Sequence, residues 1–308
     1  MNGYFDGGKR YNSLDGYLKN KFGCKIAKIS LSGGFTCPNR DGTKSVGGCI
    51  YCSDKLSGEF AGKCEKSISE QFEDVKAVMS KKWKNTKYMP YFQAGTNTYA
   101  PVERLRLLYE EALGQEDVVG LSVATRPDCI PRDVLDYLSD INKRTFLTVE
   151  LGLQTVFDRT GELINRQTTY DDFLRCYEKL AERDIAVCVH LINGLPGEDR
   201  EMMMESVRTV SALSPWAIKL HLLHVIKGTV CERMYLDGDL TVLDKDEYVS
   251  LICDQLEIIP EGIVIQRLTG DGARDTLIAP LWSIKKFEVL NSIDSELEKR
   301  GTFQGIFA

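Results

Sequence analysis

Short apolar runs alternate with amphipathic helical patterns from residue 25 to residue 226, and this alternation restricts the possible folds more than any other feature. The runs are rich in β-branched and aromatic residues, which favours strands. There are six of them, at residues 26–31, 88–92, 118–123, 146–151, 185–192 and 217–226. Strands that alternate with helices predict a parallel sheet with crossover helices.

Six strand–helix units predict an α/β fold, a partial (β/α)6 barrel rather than a closed barrel of eight units. A doubly wound open sheet is the second possibility. The pattern divides the chain into an N-terminal extension (1–24), the barrel (25–228) and a small C-terminal extension packed on the barrel (229–308). Within that last segment the alternation loosens, although residues 263–268 form one more candidate strand and a last helix is predicted to begin near Ser283.

In either parallel fold the reactive face lies at the carboxyl ends of the strands. Motifs with small or polar residues follow the predicted strands at these ends. They are Gly33-Gly34, Gln93-Ala94-Gly95, Thr125-Arg126-Pro127-Asp128, Gly152-Leu153-Gln154 and Asn193-Gly194-Leu195-Pro196-Gly197. We therefore expect the functional site to be built from these loops.

Composition limits the location and the partners. The first residues contain no basic stretch followed by an apolar run, and no window approaches the roughly 20 apolar residues of a membrane span, so we expect a cytoplasmic protein with no membrane partner. The net charge of −6 argues against binding nucleic acid mainly through bulk charge. Residues 81–87 form either a local basic patch or a solvated helix end.

Three of the ten cysteines are closely spaced in a glycine-containing segment. Eleven residues separate Cys37 from Cys49, and two separate Cys49 from Cys52. Soft thiolates bind iron–sulfur clusters, zinc or copper. Three cysteines on a [4Fe–4S] cluster leave one iron open, as S-adenosylmethionine (SAM) chemistry requires. The alternative is a structural zinc site of four cysteines that includes Cys64.

Several motifs resemble the radical SAM superfamily, and within it the subfamily related to the elongator catalytic subunit. They are CPNRDGT at 37–43, CIYC at 49–52, YFQA at 91–94, TRPD at 125–128, ELGLQ at 150–154, HLINGLPG at 190–197 and RLTGDG at 267–272. The long C-x11-C-x2-C spacing is typical of this subfamily. The resemblance covers almost the whole chain and implies a radical SAM barrel with a [4Fe–4S] cluster and SAM as cofactors.

The resemblance also implies roles for single residues. Tyr51 would lie close to the adenine of SAM. The segment Gln93-Ala94-Gly95 would contact the SAM amino group, partly through its backbone. Glu150 and Gln154 belong to one motif that would bind the cofactor, and Gln154 would contact the ribose.

Arg166 would pair with the SAM carboxylate, for which a guanidinium fork is well suited. His190 stands where relatives often have an aspartate that touches the ribose, and Ala124 stands where they often have an acidic residue. These two departures affect nucleoside binding and not the cluster. The chain has two more histidines, His221 and His224, both on the sixth predicted strand, so we expect at least one to point into the barrel.

The substrate is implied only by the resemblance, which indicates tRNA. Related enzymes are connected with converting a carboxymethylaminomethyl group on the wobble uridine towards an aminomethyl group. Such a reaction needs a reducing partner such as flavodoxin or ferredoxin, and a methyltransferase acting next is a further expected partner. Arg267, Asp271 and Arg274 are candidate substrate contacts. The alternatives are a radical SAM enzyme for a small metabolite and a non-enzymatic zinc scaffold.

Overall fold

The computed structural model describes residues 5, 7–56, 58, 61–270 and 272–308. Seven strands form one parallel sheet, in the order β1-β2-β3-β4-β5-β6-β8. Two short strands, β7 and β9, pair separately and antiparallel. The strands are β1 (Lys25–Leu31), β2 (Thr86–Phe92), β3 (Gly120–Thr125), β4 (Phe146–Gln154), β5 (Ala186–Asn193), β6 (Ala217–Leu222), β7 (Val225–Ile226), β8 (Val264–Arg267) and β9 (Leu277–Ala279).

Helices connect these strands and cover the outer face of the sheet. They are α1 (Leu14–Phe22), α2 (Ile68–Lys82), α3 (Val102–Leu113), α4 (Arg132–Arg144), α5 (Asp158–Leu163), α6 (Tyr170–Ala181), α7 (Arg200–Ala212), α8 (Val230–Asp237), α9 (Lys245–Ile258) and α10 (Lys286–Arg300). Two short 3-10 helices lie at Pro127–Cys129 and Leu281–Ile284. None of the helices in these described segments combines the length and the apolar composition needed to cross a membrane.

The spatial order of the first six strands is the order of the chain. A doubly wound sheet would reverse that order at a switch point, so it is excluded. The predicted partial barrel is therefore confirmed. The sheet also contains a seventh strand, β8, which comes from the candidate strand at 263–268 and pairs with β6.

The sixth predicted run, 217–226, is not one strand. The chain leaves the sheet after Leu222, and the Leu223 amide donates to the carbonyl of Asn193 at 2.9 Å. Val225 and Ile226 then pair with β9 instead. The run is mostly apolar because both of its halves are largely buried, the first in the barrel sheet and the second in a small adjacent cluster.

The two faces of the sheet differ in polarity. The face towards the helices is apolar, with buried side chains such as Leu31, Phe92 and Val123 in the main core. The concave face carries polar side chains at alternating positions of the strands. These are Lys28, Tyr91, Ser122, Thr148, Glu150, His190, Lys219 and Gln266. The barrel interior is therefore suited to polar ligands.

The sheet remains open between its edge strands β1 and β8, which are not paired with each other. Helix α1 packs against both of these strands near their amino ends. A parallel bridge joins Ser13 to Ile265 on the β8 side. The opening gives access from the side of the barrel to its concave face.

Candidate cluster and cofactor site

The three closely spaced cysteines lie in the loop that follows β1 at the carboxyl end of the sheet. All three are free thiols and partly buried. Turns position them: the amides of Arg40 and Asp41 donate to the Cys37 carbonyl at 2.8 and 3.1 Å, and the Cys52 amide donates to the Cys49 carbonyl at 2.9 Å. The loop is thus folded by its own backbone hydrogen bonds.

Two asparagines join this loop to the loop after α5. The Asn39 side chain, fully buried, donates to the Cys49 sulfur at 3.6 Å and to the Asn165 carbonyl at 2.5 Å. The Asn165 side chain donates in return to the Gly48 carbonyl at 2.7 Å. Sequence reasoning assigned no role to either asparagine, because their significance depends on contacts that are distant along the chain.

Arg126 supplies a fixed positive charge beside the cysteines. Its guanidinium makes a two-bonded ion pair with Asp128, at 2.9 and 3.0 Å, and donates to the Arg166 carbonyl at 2.9 Å. Burial acts to lower the pKa of Arg126, but Asp128 and the nearby Cys37 and Cys49 thiolates raise it above its usual value. The side chain therefore stays charged and favours thiolates or an anionic cluster next to it.

The cysteine environment fits an iron–sulfur cluster. Burial raises the pKa of the Cys49 thiol, while Arg126 acts to lower it, so deprotonation depends on the surrounding cation or on a bound metal. Among the described residues, no three His, Cys, Asp or Glu side chains converge closely enough to bind one metal ion. A [4Fe–4S] cluster does not need that convergence, because each cysteine binds a different iron.

Cys64 lies apart from the expected zinc arrangement. It is exposed, its sulfur is 3.7 Å from Glu65, and its Cβ lies near Gly34. Zinc ligands would need sulfurs about 4 Å apart around one ion. The described residues do not form the four-cysteine zinc site that the sequence left open.

The predicted SAM-amine segment lies directly against the start of the cysteine loop. Gln93, Ala94 and Gly95 are partly exposed. Gly95 has φ +77°, and a Cβ at this position would lie 2.5 Å from the Phe35 carbonyl oxygen. Only glycine permits both this conformation and this approach. The end of β2 and the cysteine loop therefore form one surface.

Gln154 ends β4 in a left-handed conformation, with φ +66°. A bulge in the pairing with β5 lies between Gly152 and Gln154. The Gln154 side chain folds back over Gly152, where a Cβ would lie 2.6 Å from its amide nitrogen. Gln154 is partly exposed at the carboxyl end, so its predicted contact with the ribose stays a prediction that the geometry permits.

Arg166 is 2% exposed and binds its own chain. It donates to the carbonyls of Leu153, Thr155 (2.7 Å) and Thr168 (2.8 Å), and it lies 3.3 Å from Asp158. These contacts occupy four of the five N–H groups of a guanidinium. Arg166 thus fixes the chain after β4, a role that the sequence did not predict. The predicted pairing of Arg166 with the SAM carboxylate stays a prediction, and only one N–H group of the guanidinium remains for it.

Glu150 is the centre of a buried polar network inside the barrel. Its two oxygens accept from six groups: Lys28, Ser122 (2.7 Å), Gln266 (3.1 Å), Tyr91 (3.0 Å), Lys219 (2.9 Å) and His190 (2.8 Å). Burial acts to raise the pKa of Glu150, but Lys219 and Lys28 outweigh it and hold the pKa well below its usual value. A direct contact between Glu150 and a cofactor would displace one of these donors. The geometry therefore favours a role in which Glu150 orients the side chains around it.

His190 and His221 lie together on the concave face, with ring centroids 5.3 Å apart. Burial lowers the pKa of His190 to about 4, and Lys219 adds to the effect, so the ring is neutral at neutral pH. Because the carboxylate of Glu150 can only accept, Nε2 of His190 carries the proton and Nδ1 remains an acceptor. The predicted inward direction of at least one histidine is confirmed, and His190 can still accept one hydrogen bond from a ligand.

Comparison with protein families identifies the fold and its chemistry together. Residues 36–210 match the Radical SAM superfamily, and residues 215–299 match the Radical_SAM C-terminal domain. The chain belongs to the radical SAM superfamily. As a radical SAM enzyme, it uses a [4Fe–4S] cluster and SAM, and the predicted cofactors are thereby confirmed. Membership in this enzyme family overturns the alternative of a non-enzymatic scaffold.

Two relatives and one solved structure are similar to this radical SAM enzyme. It is 52% identical to the uncharacterized protein YtqA of Bacillus subtilis, over 97% of this chain and 93% of that protein. It is 26% identical to the tRNA uridine(34) acetyltransferase of Methanocaldococcus jannaschii, over 59% of this chain but only 33% of that enzyme. Its fold matches archaeal Elp3 from Methanocaldococcus infernus with a TM-score of 0.68 and 18% identity, over 91% of this chain and 64% of Elp3.

Two groups of polar residues in this radical SAM barrel had no predicted role. One comprises Asn39, Asn165 and Arg126 around the cysteines, and the other Lys28 and Tyr91 beside Glu150. The sequence signal for Lys28 and Tyr91 was weak, namely a charged or hydroxyl-bearing side chain inside an otherwise apolar run, and the first group had no such signal. Of the candidate substrate residues, Arg267 lies on the concave side and Asp271 lies outside the described residues.

Proposed function

We propose that this radical SAM enzyme modifies the wobble uridine of tRNA, converting a carboxymethylaminomethyl side chain towards an aminomethyl side chain. The observation that carries the proposal is that the cysteine loop lies at the end of a barrel whose interior carries lysine side chains. These cations suit the expected substrate side chain, which is anionic. When bound, the cluster and SAM supply a 5′-deoxyadenosyl radical, which removes a hydrogen atom from the substrate.

In this proposal Cys37, Cys49 and Cys52 hold the cluster. The support is their common loop at the carboxyl end of β1, the nearby charge of Arg126 and the hydrogen bond from Asn39 to Cys49. Charge and hydrogen bonding around the sulfurs tune such clusters.

SAM would occupy the surface next to the cysteine loop. Gln93, Ala94 and Gly95 would contact its amino group, and Arg166 its carboxylate through the remaining N–H. Tyr51, whose pKa is raised by burial and by the adjacent Cys49, stays a neutral phenol and suits a position beside the adenine.

The ribose would lie deeper, towards the concave face. Gln154, which lies over Gly152, and the Nδ1 acceptor of His190 would contact the ribose there. Glu150 would act mainly by orienting His190, so its contribution to SAM binding would be indirect.

The tRNA substrate is supported by two relationships. The sequence motifs resemble the elongator catalytic subunit, and one relative is a tRNA uridine(34) acetyltransferase. A small anionic metabolite is the second candidate, and the net charge of −6 favours it because a polyanionic RNA would gain little from bulk attraction. A reduced flavodoxin or ferredoxin would supply electrons in the cytoplasm, and a methyltransferase would act on the aminomethyl product.

Nucleoside analysis of tRNA from a deletion strain tests this proposal. Strains would carry no copy of the gene, the wild-type gene, or the Cys49→Ala variant, and digested tRNA would be analysed by mass spectrometry. We expect carboxymethylaminomethyluridine derivatives to accumulate in the deletion strain and in the Cys49→Ala strain. Unchanged wobble nucleosides, together with active SAM cleavage by the purified protein, would contradict the tRNA substrate and favour the metabolite.

A further inference from the structure

A cavity of about 420 Å³ opens at the unpaired edges of β1 and β8 and reaches the concave face. Its charged lining residues are Asp15, Lys25, Lys28, Lys219, Arg267 and Lys286. Five of these six are cations. We call this space the side cavity; its size lies in the range of ligand pockets.

The inner end of the side cavity has more positive than negative charge. Lys28 and Lys219 share one carboxylate, that of Glu150. Arg267 lies close enough to act electrostatically on both Lys219 and Tyr91. Two lysines therefore share one buried carboxylate.

Such an excess is costly in a buried place. The Lys219 side chain is 6% exposed and the Glu150 side chain is not exposed at all. A buried charge without full compensation destabilises the folded protein. Burial lowers the pKa of Lys219 to about 8, and Arg267 and Lys28 add to this effect against the opposing influence of Glu150. A bound anion would restore the balance.

The outer end of the side cavity is different, because its charges are exposed to solvent, which screens them: the side chains of Lys25 and Asp15 are 28% and 45% exposed. Lys25 pairs with Asp15, which also pairs with Lys19 at 2.8 Å. The attraction for an anion is therefore concentrated at Lys219 and Lys28, not at the mouth.

The inner end also lies next to the cofactor surface. Gln93 lines the side cavity, and it follows β2 directly, two residues beyond Tyr91. Two residues of a strand span about 7 Å. A small group held at Lys219 would thus leave the adjacent atoms of the same molecule within reach of the cofactor end.

We propose that the side cavity is the binding site for a carboxylate group of the substrate, held by Lys219 and Lys28, with Glu150 positioning both lysines. This inference rests on the proposed function, because the carboxymethylaminomethyl side chain ends in a carboxylate and the aminomethyl side chain does not. The lysines therefore select substrate over product.

Binding measurements on the holoenzyme test this inference without turnover. The protein carries its cluster and SAM but receives no reductant. Three anticodon stem–loop RNAs serve as probes, with a wobble uridine bearing carboxymethylaminomethyl, its neutral carboxamide counterpart, or aminomethyl. Comparison of the first two isolates the carboxylate, because RNA phosphates are the same in both.

We expect the wild-type protein to bind the carboxylate RNA about tenfold more tightly than the carboxamide RNA, which is the usual effect of a charged hydrogen bond. Lys219→Met abolishes this preference, so that the carboxylate and carboxamide RNAs bind with equal affinity. Lys25→Met is the matched control, since it removes a lysine from the solvent-exposed mouth of the same cavity, and it retains the preference. Lys28→Met reduces the preference for the carboxylate RNA. It replaces the Lys219 variant in this test if that variant does not fold.

The outcomes separate the two proposals. Retention of the preference in both Lys219→Met and Lys28→Met would overturn the carboxylate site and leave the tRNA substrate intact. A wild-type protein that binds all three RNAs equally, and modifies none of them when reduced, would contradict the proposed function itself.

Discussion

The Asn39 side chain donates to the Cys49 sulfur at 3.6 Å and to the Asn165 carbonyl at 2.5 Å. It therefore fixes the middle cysteine to a loop that is more than a hundred residues away in the sequence. A donor at this position also stabilises the negative charge of a ligating thiolate.

Replacement of Asn39 by alanine tests this relationship. We expect Asn39→Ala to leave the buried Asn165 carbonyl without its donor, which costs about 1–3 kcal/mol, and to lower the iron content after reconstitution. Iron and sulfide per protein chain are the measurement, together with the rate at which the cluster is lost in air.

Asn142 provides the control. It also donates to main-chain carbonyls, those of Arg183 (3.3 Å) and Asp184 (3.1 Å), but at the opposite end of the barrel. Asn142→Ala therefore lowers the free energy of unfolding without lowering the iron content. Equal iron contents in the two variants would contradict a specific role for Asn39.

Comparing alanine variants of Gly95 and Gly42 distinguishes the effect of steric contact from that of backbone strain. Both have positive φ, +77° and +90°. A Cβ on Gly95 would meet the Phe35 carbonyl oxygen at 2.5 Å, whereas nothing lies within 4 Å of a Cβ on Gly42.

We expect each alanine variant to lose about 1–2 kcal/mol from the left-handed conformation alone. Only Gly95→Ala displaces the start of the cysteine loop, so only this variant loses SAM affinity, measured by equilibrium dialysis of the reconstituted protein. A similar loss of SAM affinity in Gly42→Ala would show that strain, and not the contact with Phe35, is responsible.

The neutral state of His190 predicts a pH dependence of stability. The pKa of His190 is about 4 in the folded chain, against 6.5 for an ordinary histidine, so the unfolded chain binds more protons between these values. Stability is therefore complete above pH 6.5 and falls as the pH drops towards 4, by about 3 kcal/mol for this group.

His190→Gln keeps a donor for Glu150 but cannot titrate. Urea unfolding of the chain before cluster reconstitution, at several pH values, measures the difference between variant and wild type. We expect the variant to lose less stability than the wild type over this interval. Parallel pH curves for the two proteins would exclude His190 as the titrating group.

The sequence predicted most of the barrel because each strand is a local signal. The apolar run that includes Phe146 and Leu151, for example, is β4 in the structure. The strand β8 was predicted as a segment, but its place in the sheet was not, since Val264–Arg267 has only four residues and its pairing with β6 is set by the helices between them. Local patterns do not encode such pairing.

The cysteine loop was also evident from spacing, whereas the interior network was not. Lys28, Glu150 and Lys219 lie on three different strands, so their contact depends on the closure of the sheet. Arg166 illustrates the same limit: its type suggests an anion partner, but the bulge after Gly152 brings carbonyls within its reach. The type of a residue therefore indicates which chemistry it can perform, but its contacts depend on the tertiary structure.

Anaerobic SAM cleavage tests the central claim most directly. The protein would be reconstituted with iron and sulfide, reduced, supplied with SAM and analysed for 5′-deoxyadenosine, alongside Cys37→Ala, Cys49→Ala, Cys52→Ala and the exposed control Cys64→Ala. We predict that the wild type and Cys64→Ala produce 5′-deoxyadenosine and that the other three variants do not. Cleavage that persists in any one of those three, or that disappears in Cys64→Ala, would contradict the assignment of the cluster to Cys37, Cys49 and Cys52.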